Sequence, residues 1–256
     1  MGGRYDLTNF EWSVIAPLLP QKSRGVARVD DRRVLSAILW VLRSGSPWRD
    51  LPERYGPYTT AYNRFVRWRR AGIWDAIMDA ITKAYDGHIQ MIDSSSVRVH
   101  QHAAGAKKGG PDRCMGRSRG GLTTKVHALV DARGLPIRMV LTAGQVHDSQ
   151  AVPALLEGLT ANSVLIADKG YDADWIRTMI EERDAAPNIP VKSNRKQRFC
   201  FSRSLYRERN RIERFFCHMK QFRRVATRYE KLAANYLAML KLAAIRLWLR
   251  AYESTP

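Results

Sequence analysis

Cysteine is scarce in this 256-residue chain: Cys114, Cys200 and Cys217 lie far apart, with no paired spacing. That distribution argues against a disulfide framework and a thiolate zinc site, and is read as three reduced, non-catalytic thiols. Long apolar runs are missing as well. The most apolar segment, NYLAMLKLAAIRLWL (235–249), is interrupted by Lys241 and Arg246, falls short of a membrane span, and is expected to pack as an amphipathic helix. The opening MGGRYDLTNF has no charged-then-apolar leader, from which a cytoplasmic protein is expected. Internal repeats and low-complexity linkers are absent too. Acid is in short supply: 24 Asp plus Glu stand against 43 Lys plus Arg, a net charge of +19. Such an excess favours a polyanionic partner, nucleic acid ahead of an anionic membrane. A hydrophobic content of 45% excludes a disordered chain and suffices for one large domain or two small ones.

Residues 5 to about 85 read as helical. Thr8 and Glu11 form a capping box before EWSVIAPLL, and DDRRVLSAILWVLR (30–43) starts from acidic caps. A Pro/Gly-rich turn, SGSPWRDLPERYGP, precedes TTAYNRFVRWRR. In that helix Thr60, Asn63, Arg64 and Arg67 share one face, and Tyr62, Phe65 and Val66 the other. Two helices joined by a turn, the second presenting Thr, Asn and Arg outward, suggest a helix-turn-helix reader of base edges and phosphates; the alternative is an ordinary solvated basic face. GIWDAIMDAITKAY closes the region as a fourth helix.

From His88 the period changes. HIQMIDSSSVRVH alternates as a strand, and LTTKVHALVDARGLPIRMVLTAG reads as two strands around a turn from Asp131 to Gly134. Next come a helix over DSQAVPALLEGL with Asp148 as N-cap, the strand SVLIA, a helix over ADWIRTMIEERDA with Asp172 as N-cap, the short strand NIPVKS, and two C-terminal helices. Three strands followed by alternating helix and strand indicate an α/β layer with a mixed sheet. The loop GAKKGGPDRCMGRSRGG (105–121) is rich in glycine and cation, and Lys107, Lys108, Arg117 and Arg119 are candidates for phosphate-backbone contacts. The expected division is a helical domain over 1–85 and an α/β domain over 86–256.

Three acids stand out. Asp93 interrupts an apolar strand with Ile89, Met91, Val97 and Val99 on its own face, and an ionised carboxylate there is costly unless paired or metal-bound. Asp168 ends VLIA and opens KGYD, at the carboxyl end of a strand where α/β sheets build their sites, although a turn or cap role is open to it. Glu213 lies in the basic stretch YRERNRIERFFCHMK. On a continuous helix Tyr206, Arg209, Glu213 and Lys220 form one stripe, and an ion pair from Glu213 to Arg209 is the bland account of the acid. Taken together, three carboxylates on separate elements suit two Mg²⁺ ions about 4 Å apart, the arrangement for in-line displacement at a phosphodiester. The histidines His100, His102, His127 and His147 are read as structural or DNA-contacting, since that chemistry needs no histidine base.

The spacing from Tyr206 through Arg209 and Glu213 to Lys220 resembles the motif around the catalytic glutamate in DDE transposases of bacterial insertion sequences. IDSSSV around Asp93 and IADKGYD around Asp168 resemble that family's other two motifs. LTNFEWSVIAPLLP with LWVLRSGSPWRDLPERYG resembles the leading region of the insertion-sequence-five group, so the likeness covers nearly the whole chain. It implies a ribonuclease-H-like catalytic domain preceded by a small helix-turn-helix-like domain. Asp93, Asp168 and Glu213 would bind two Mg²⁺, with Mn²⁺ as a substitute, and Tyr206, Arg209 and Lys220 would hold the transposon end. The segment 169–212 leaves no room for the large insertion domain that some relatives carry. The implied function is binding of terminal inverted repeats, metal-dependent strand cleavage and transfer of the freed 3′-hydroxyl into target DNA. A homodimer or larger assembly on double-stranded DNA is expected. The alternatives are a transposase-derived DNA-binding regulator, which would need no acids, and a structure-specific nuclease, which would need no N-terminal reader.

Overall fold

Thr8 opens helix α1 (Asn9–Ile15): its side chain accepts from the Glu11 amide at 3.0 Å while Glu11 answers the Thr8 amide at 2.8 Å, so two end groups of the helix are satisfied reciprocally. The computed structural model describes residues 5–20, 29–83, 87–105 and 113–254. Contacts divide the chain into two compact units, one of Met1–Lys83 with Met219–Pro256 and one of Ala84–His218.

In the first unit, α2 (Asp31–Ser44) is capped by Asp30, whose side chain accepts from the Arg32 amide at 2.9 Å. It buries Val34, Leu35, Ile38, Val41 and Leu42. Short 3₁₀ turns lead to α3 (Tyr58–Arg70) and then α4 (Ile73–Thr82). The expected inner face of α3 is wrong. Ala61, Arg64, Phe65 and Trp68 are buried, and Tyr62 is 40% exposed. The spacing 61, 65, 68 is the true apolar stripe, fixed by Trp68 and Phe65 packing at 5.3 and 6.2 Å from the Trp74 ring. Arg64, expected to face outward, is instead ion-paired with Asp31 and lies 5.3 Å over Trp68.

The grouping by contacts differs from the division expected at residue 85 in where it puts the chain's end. Residues 219–256, expected with the sheet, pack with residues 1–83. The physical reason is α11 (Ala233–Glu253), which buries Tyr236, Met239, Leu240, Ala243 and Trp248 and packs against α4, α1, α3 and α2. Its Arg246 reaches the fully buried Glu11 at 2.7 Å. No helix among the described residues is long and apolar enough to cross a membrane.

The second unit is built on a mixed sheet. Strand β1 (Ile89–Val99) is followed by α5 (Gln101–Ala104), β2 (Gly116–Ser118), β3 (Gly121–Val130), β4 (Pro136–Ala143), α6 (Val152–Leu156), β5 (Val164–Ile166), α7 (Asp174–Glu181), β6 (Ala186–Asn188), α8 (Arg203–Arg207) and α9 (Asn210–Lys220). The strand order is β2-β3-β1-β5-β6 with β4 also on β3. β3 runs antiparallel to β1, β2 and β4, while β1, β5 and β6 are parallel. Ile92, Leu129 and Leu165 pack with Val152 and Leu155 of α6 and Ile176 and Ile180 of α7. By strand alternation Asp93 points to the opposite face. The first unit ends with α10 (Arg223–Ala226) and α11.

Four local expectations need correction. Asp148 does not cap a helix: His147 accepts from the Ser149 amide to open a 3₁₀ turn over Asp148–Ala151, and Asp148 pairs with Lys125 at 2.8 Å. Asp172 is not the cap of α7, which begins after Ala173; its buried carboxylate is held by Arg177 and Arg195, both at 2.9 Å. The strand expected over NIPVKS instead covers Ala186–Asn188. The stretch 206–220 is two helices with Glu208 and Arg209 in the turn between them, where Arg209 and Ile212 amides bond back three residues rather than four.

Candidate functional site

β1 and β5 are neighbours, with Met91 opposite Ile166. Asp93 and Asp168 each follow two residues later, so both acids lie just past the end of the parallel pairing, Asp93 within β1 and Asp168 beyond the carboxyl end of β5. α/β sheets characteristically place ligand sites there. Asp93 is the more enclosed. Its Oδ1 accepts from the Ser94 amide at 2.8 Å and its Oδ2 from Arg209 Nη1 at 2.7 Å. Burial pushes its carboxyl above the ordinary range, and Asp168 adds to that, against the pull of the Ser94 amide and Arg209. Asp168 also caps the 3₁₀ turn Lys169–Tyr171, accepting from the Gly170 amide at 2.7 Å. A Cβ at position 170 would stand 2.8 Å from Asp168 Oδ1, so glycine permits this close approach.

Glu213 stands in the first turn of α9 and is half exposed. The ion pair to Arg209 does form, and it does not end there: the same guanidinium reaches Asp93 on β1. One cation therefore ties two of the three acids together. Burial lowers the Arg209 pKa, but Asp93, Tyr206, Glu213 and Asp168 outweigh it and hold the group above its usual value. The Tyr206 ring centroid lies 5.8 Å from the guanidinium carbon and 5.4 Å from the ring of Phe201. Behind the acids, Tyr171 is 1% exposed with no hydrogen-bond partner for its hydroxyl among the described residues. Burial, then Asp148, Asp93 and Asp168, raise its pKa well above normal.

An open cleft of about 560 Å³ adjoins Asp168, lined also by Lys169, Phe201, Arg203, Tyr206, Arg207 and Arg209. The sequence reading missed Lys169, Arg203 and Arg207. Their adjacency to Asp168 and Tyr206 was the available signal. Arg117 and Arg119 are exposed on the β2–β3 hairpin, whereas Lys107 and Lys108 lie outside the described residues. On α3, Asn63 and Arg67 are exposed and Thr60 is half-buried. Lys220 is exposed at the last residue of α9.

As a donor set, Asp93, Asp168 and Glu213 offer hard carboxylate oxygens suited to Mg²⁺. The guanidinium bridging Asp93 and Glu213 is a stand-in cation, so these oxygens fit positive charge. As they stand, however, no group of three acidic, histidine or cysteine side chains among the described residues is gathered tightly enough to hold a metal ion. The chemistry of the donors fits; their present engagement is with Arg209.

Residues 85–248 match the family described as "Transposase DDE domain", and residues 7–78 match "Putative transposase of IS4/5 family". The chain is 40% identical over 130 residues, half of its own length and all of the relative's, to "Putative transposase for insertion sequence element IS6501" from Brucella ovis. It is 32% identical over 149 residues to "Putative transposase for insertion sequence element IS402" from Burkholderia cepacia, covering 54% of this chain and 67% of that one. Among solved structures, the piggyBac transposase in a synaptic complex with hairpin DNA shares the fold, with a TM-score of 0.54 at 11% identity, covering 95% of this chain and 71% of that one. The mixed sheet, the grouping of Asp93, Asp168 and Glu213 around Arg209 and the matched families agree, and the chain belongs to the DDE transposases of insertion sequences, in the IS4/5 family.

Proposed function

We propose that this transposase binds the terminal inverted repeats of its own insertion sequence, cleaves a strand there and joins the freed 3′-hydroxyl to target DNA. The observation that carries the reading is the placement of Asp93 and Asp168 each two residues past the parallel Met91–Ile166 pair, with Glu213 joined to Asp93 through Arg209. Asp93, Asp168 and Glu213 are the residues that would hold two divalent ions, Mg²⁺ or Mn²⁺. Such ions, when bound, activate the attacking oxygen and stabilise the leaving one. The protein's own part is positioning. Tyr206, Arg209 and Lys220 hold the phosphates of the transposon end, assisted by Lys169, Arg203 and Arg207 along the cleft, and Arg117 and Arg119 contact backbone. In the helical unit, the exposed face of α3 with Tyr62, Asn63 and Arg67 reads the repeat; Arg64 drops out because it is buried. Two ends must be held together, so a dimer or larger assembly forms on DNA.

The test uses oligonucleotide copies of the DNA flanking the gene, with cleavage and binding measured separately. Asp93→Asn, Asp168→Asn and Glu213→Gln should each abolish cleavage and strand transfer, while end binding measured without divalent ion stays within about threefold, because phosphate contacts dominate affinity. Cleavage near the wild-type rate in any one variant removes that residue from the site.

A further inference from the structure

A divalent ion and a guanidinium compete for the same carboxylates, because each neutralises the negative charge that draws the other. Arg209 donates to Asp93 at 2.7 Å and to Glu213, with its side chain 19% exposed and resting over Tyr206. A metal on these acids would place its two positive charges beside a third at close range. The same side chain also lines the cleft with Lys169, Arg203 and Arg207, a concentration of cations that draws in a phosphate. Guanidinium pairs with phosphate in the same two-pronged way as with carboxylate, so a phosphate in the cleft offers Arg209 an equivalent partner. The aromatic face of Tyr206 supports the cation while its contacts change.

We propose that Arg209 is a displaceable resident cation that closes Asp93 and Glu213 to divalent metal until a DNA phosphate in the cleft draws it away, so that DNA and metal bind cooperatively. The inference rests on the reading of Asp93, Asp168 and Glu213 as the metal-holding acids. Its consequence is reciprocal: whatever factor DNA contributes to metal affinity, metal contributes to DNA affinity. A transposase so arranged keeps its acids shielded when no DNA is bound.

The experiment titrates Mn²⁺ into the full chain and follows free ion by electron paramagnetic resonance, with and without a 20-base-pair duplex at low salt. The wild type should bind Mn²⁺ weakly alone and on the order of 10-fold more tightly with duplex. Arg209→Ala should bind Mn²⁺ about as tightly alone as the wild type does with duplex, and gain little further from it; Arg209→Lys should fall between them. Melting curves identify which variants are folded, and Arg209→Lys carries the test if Arg209→Ala is not. Asp93→Asn serves as the control. If it lowers Mn²⁺ binding while neither Arg209 variant tightens it, the resident-cation proposal is overturned and the metal site stands. If Asp93→Asn binds Mn²⁺ like the wild type, the reading of the acids fails, and the proposal with it.

Discussion

At the residue scale the structure separates acids that resemble one another in sequence. Asp168 and Asp172 lie four residues apart, and only the second is fully enclosed, with Arg177, Arg195 and the Lys192 amide around its carboxylate. Burial opposes ionisation there, but the Lys192 amide and the Arg177 guanidinium together hold the carboxyl below its ordinary range. Asp172→Asn should therefore cost about 3–5 kcal/mol, as loss of one partner from a buried ion pair does, and lower the melting temperature by about 10 °C. Asp168→Asn should melt near the wild type. The reverse order in a thermal scan would exchange their roles. His127 gives a pH signature. It is fully buried on β3, bonded to the Thr142 hydroxyl at 2.7 Å, and burial, then Lys125, lower its pKa to about 4 against the opposing charge of Asp148. The unfolded chain binds the proton more readily, so His127 contributes stability that is complete above about pH 6.5 and is lost as pH falls toward 4. Relative to His127→Gln, the wild type should lose about 2–3 kcal/mol more on going from pH 7 to 4.5 by denaturant titration. Parallel losses would show that His127 does not titrate in this window.

At the element scale, local signals were legible and tertiary ones were not. The Thr8–Glu11 box and the Asp30 cap need only neighbouring residues, and both formed as read. The β3–β4 hairpin needed only period and turn: Asp131 accepts from the Arg133 and Leu135 amides and closes the turn where Gly134 takes a φ of 82°. The face of α3 was misread because two apolar stripes compete on it, and the choice is made by Trp74, which the helix's own sequence does not contain. The three acids stood out in the sequence because each is out of place locally. Their shared arginine was not legible, since Asp93 and Arg209 are joined only by folding. The misreading of α3 yields its own prediction. Arg64→Ala should destabilise the protein by about 3 kcal/mol through loss of its buried ion pair with Asp31 and of its packing over Trp68, whereas Arg67→Ala should change stability by less than about 0.5 kcal/mol and weaken binding to the end by about 1–3 kcal/mol. Melting and fluorescence anisotropy on both variants decide it; an Arg64→Ala protein of normal stability would return that arginine to the outer face.

At the scale of the whole molecule, the excess of 19 positive charges was legible as a nucleic-acid signature, but the return of the chain was not. A sequence boundary follows the change of period near residue 85, and no local feature of 219–256 reveals that this segment packs with the first helices instead of the sheet. The energetics make it a requirement. Glu11 is fully buried, and its guanidinium partner is Arg246 at 2.7 Å, on α11. α4 places Trp74 and Ile77 against the same helix, in an apolar setting shared with Leu242, Ile245 and Leu249. A fragment of residues 1–85 would expose that apolar face and strip Glu11 of its cation, a loss comparable to the whole stability of a small domain. Such a fragment should lack a cooperative melting transition and bind a hydrophobic dye. Joining residues 219–256 to it through a flexible Gly/Ser linker should restore a cooperative transition by circular dichroism, and Arg246→Met within that fusion should weaken it again. A cooperative transition in 1–85 alone would show that the helical unit is complete without the chain's end, and that α11 is an accessory to it.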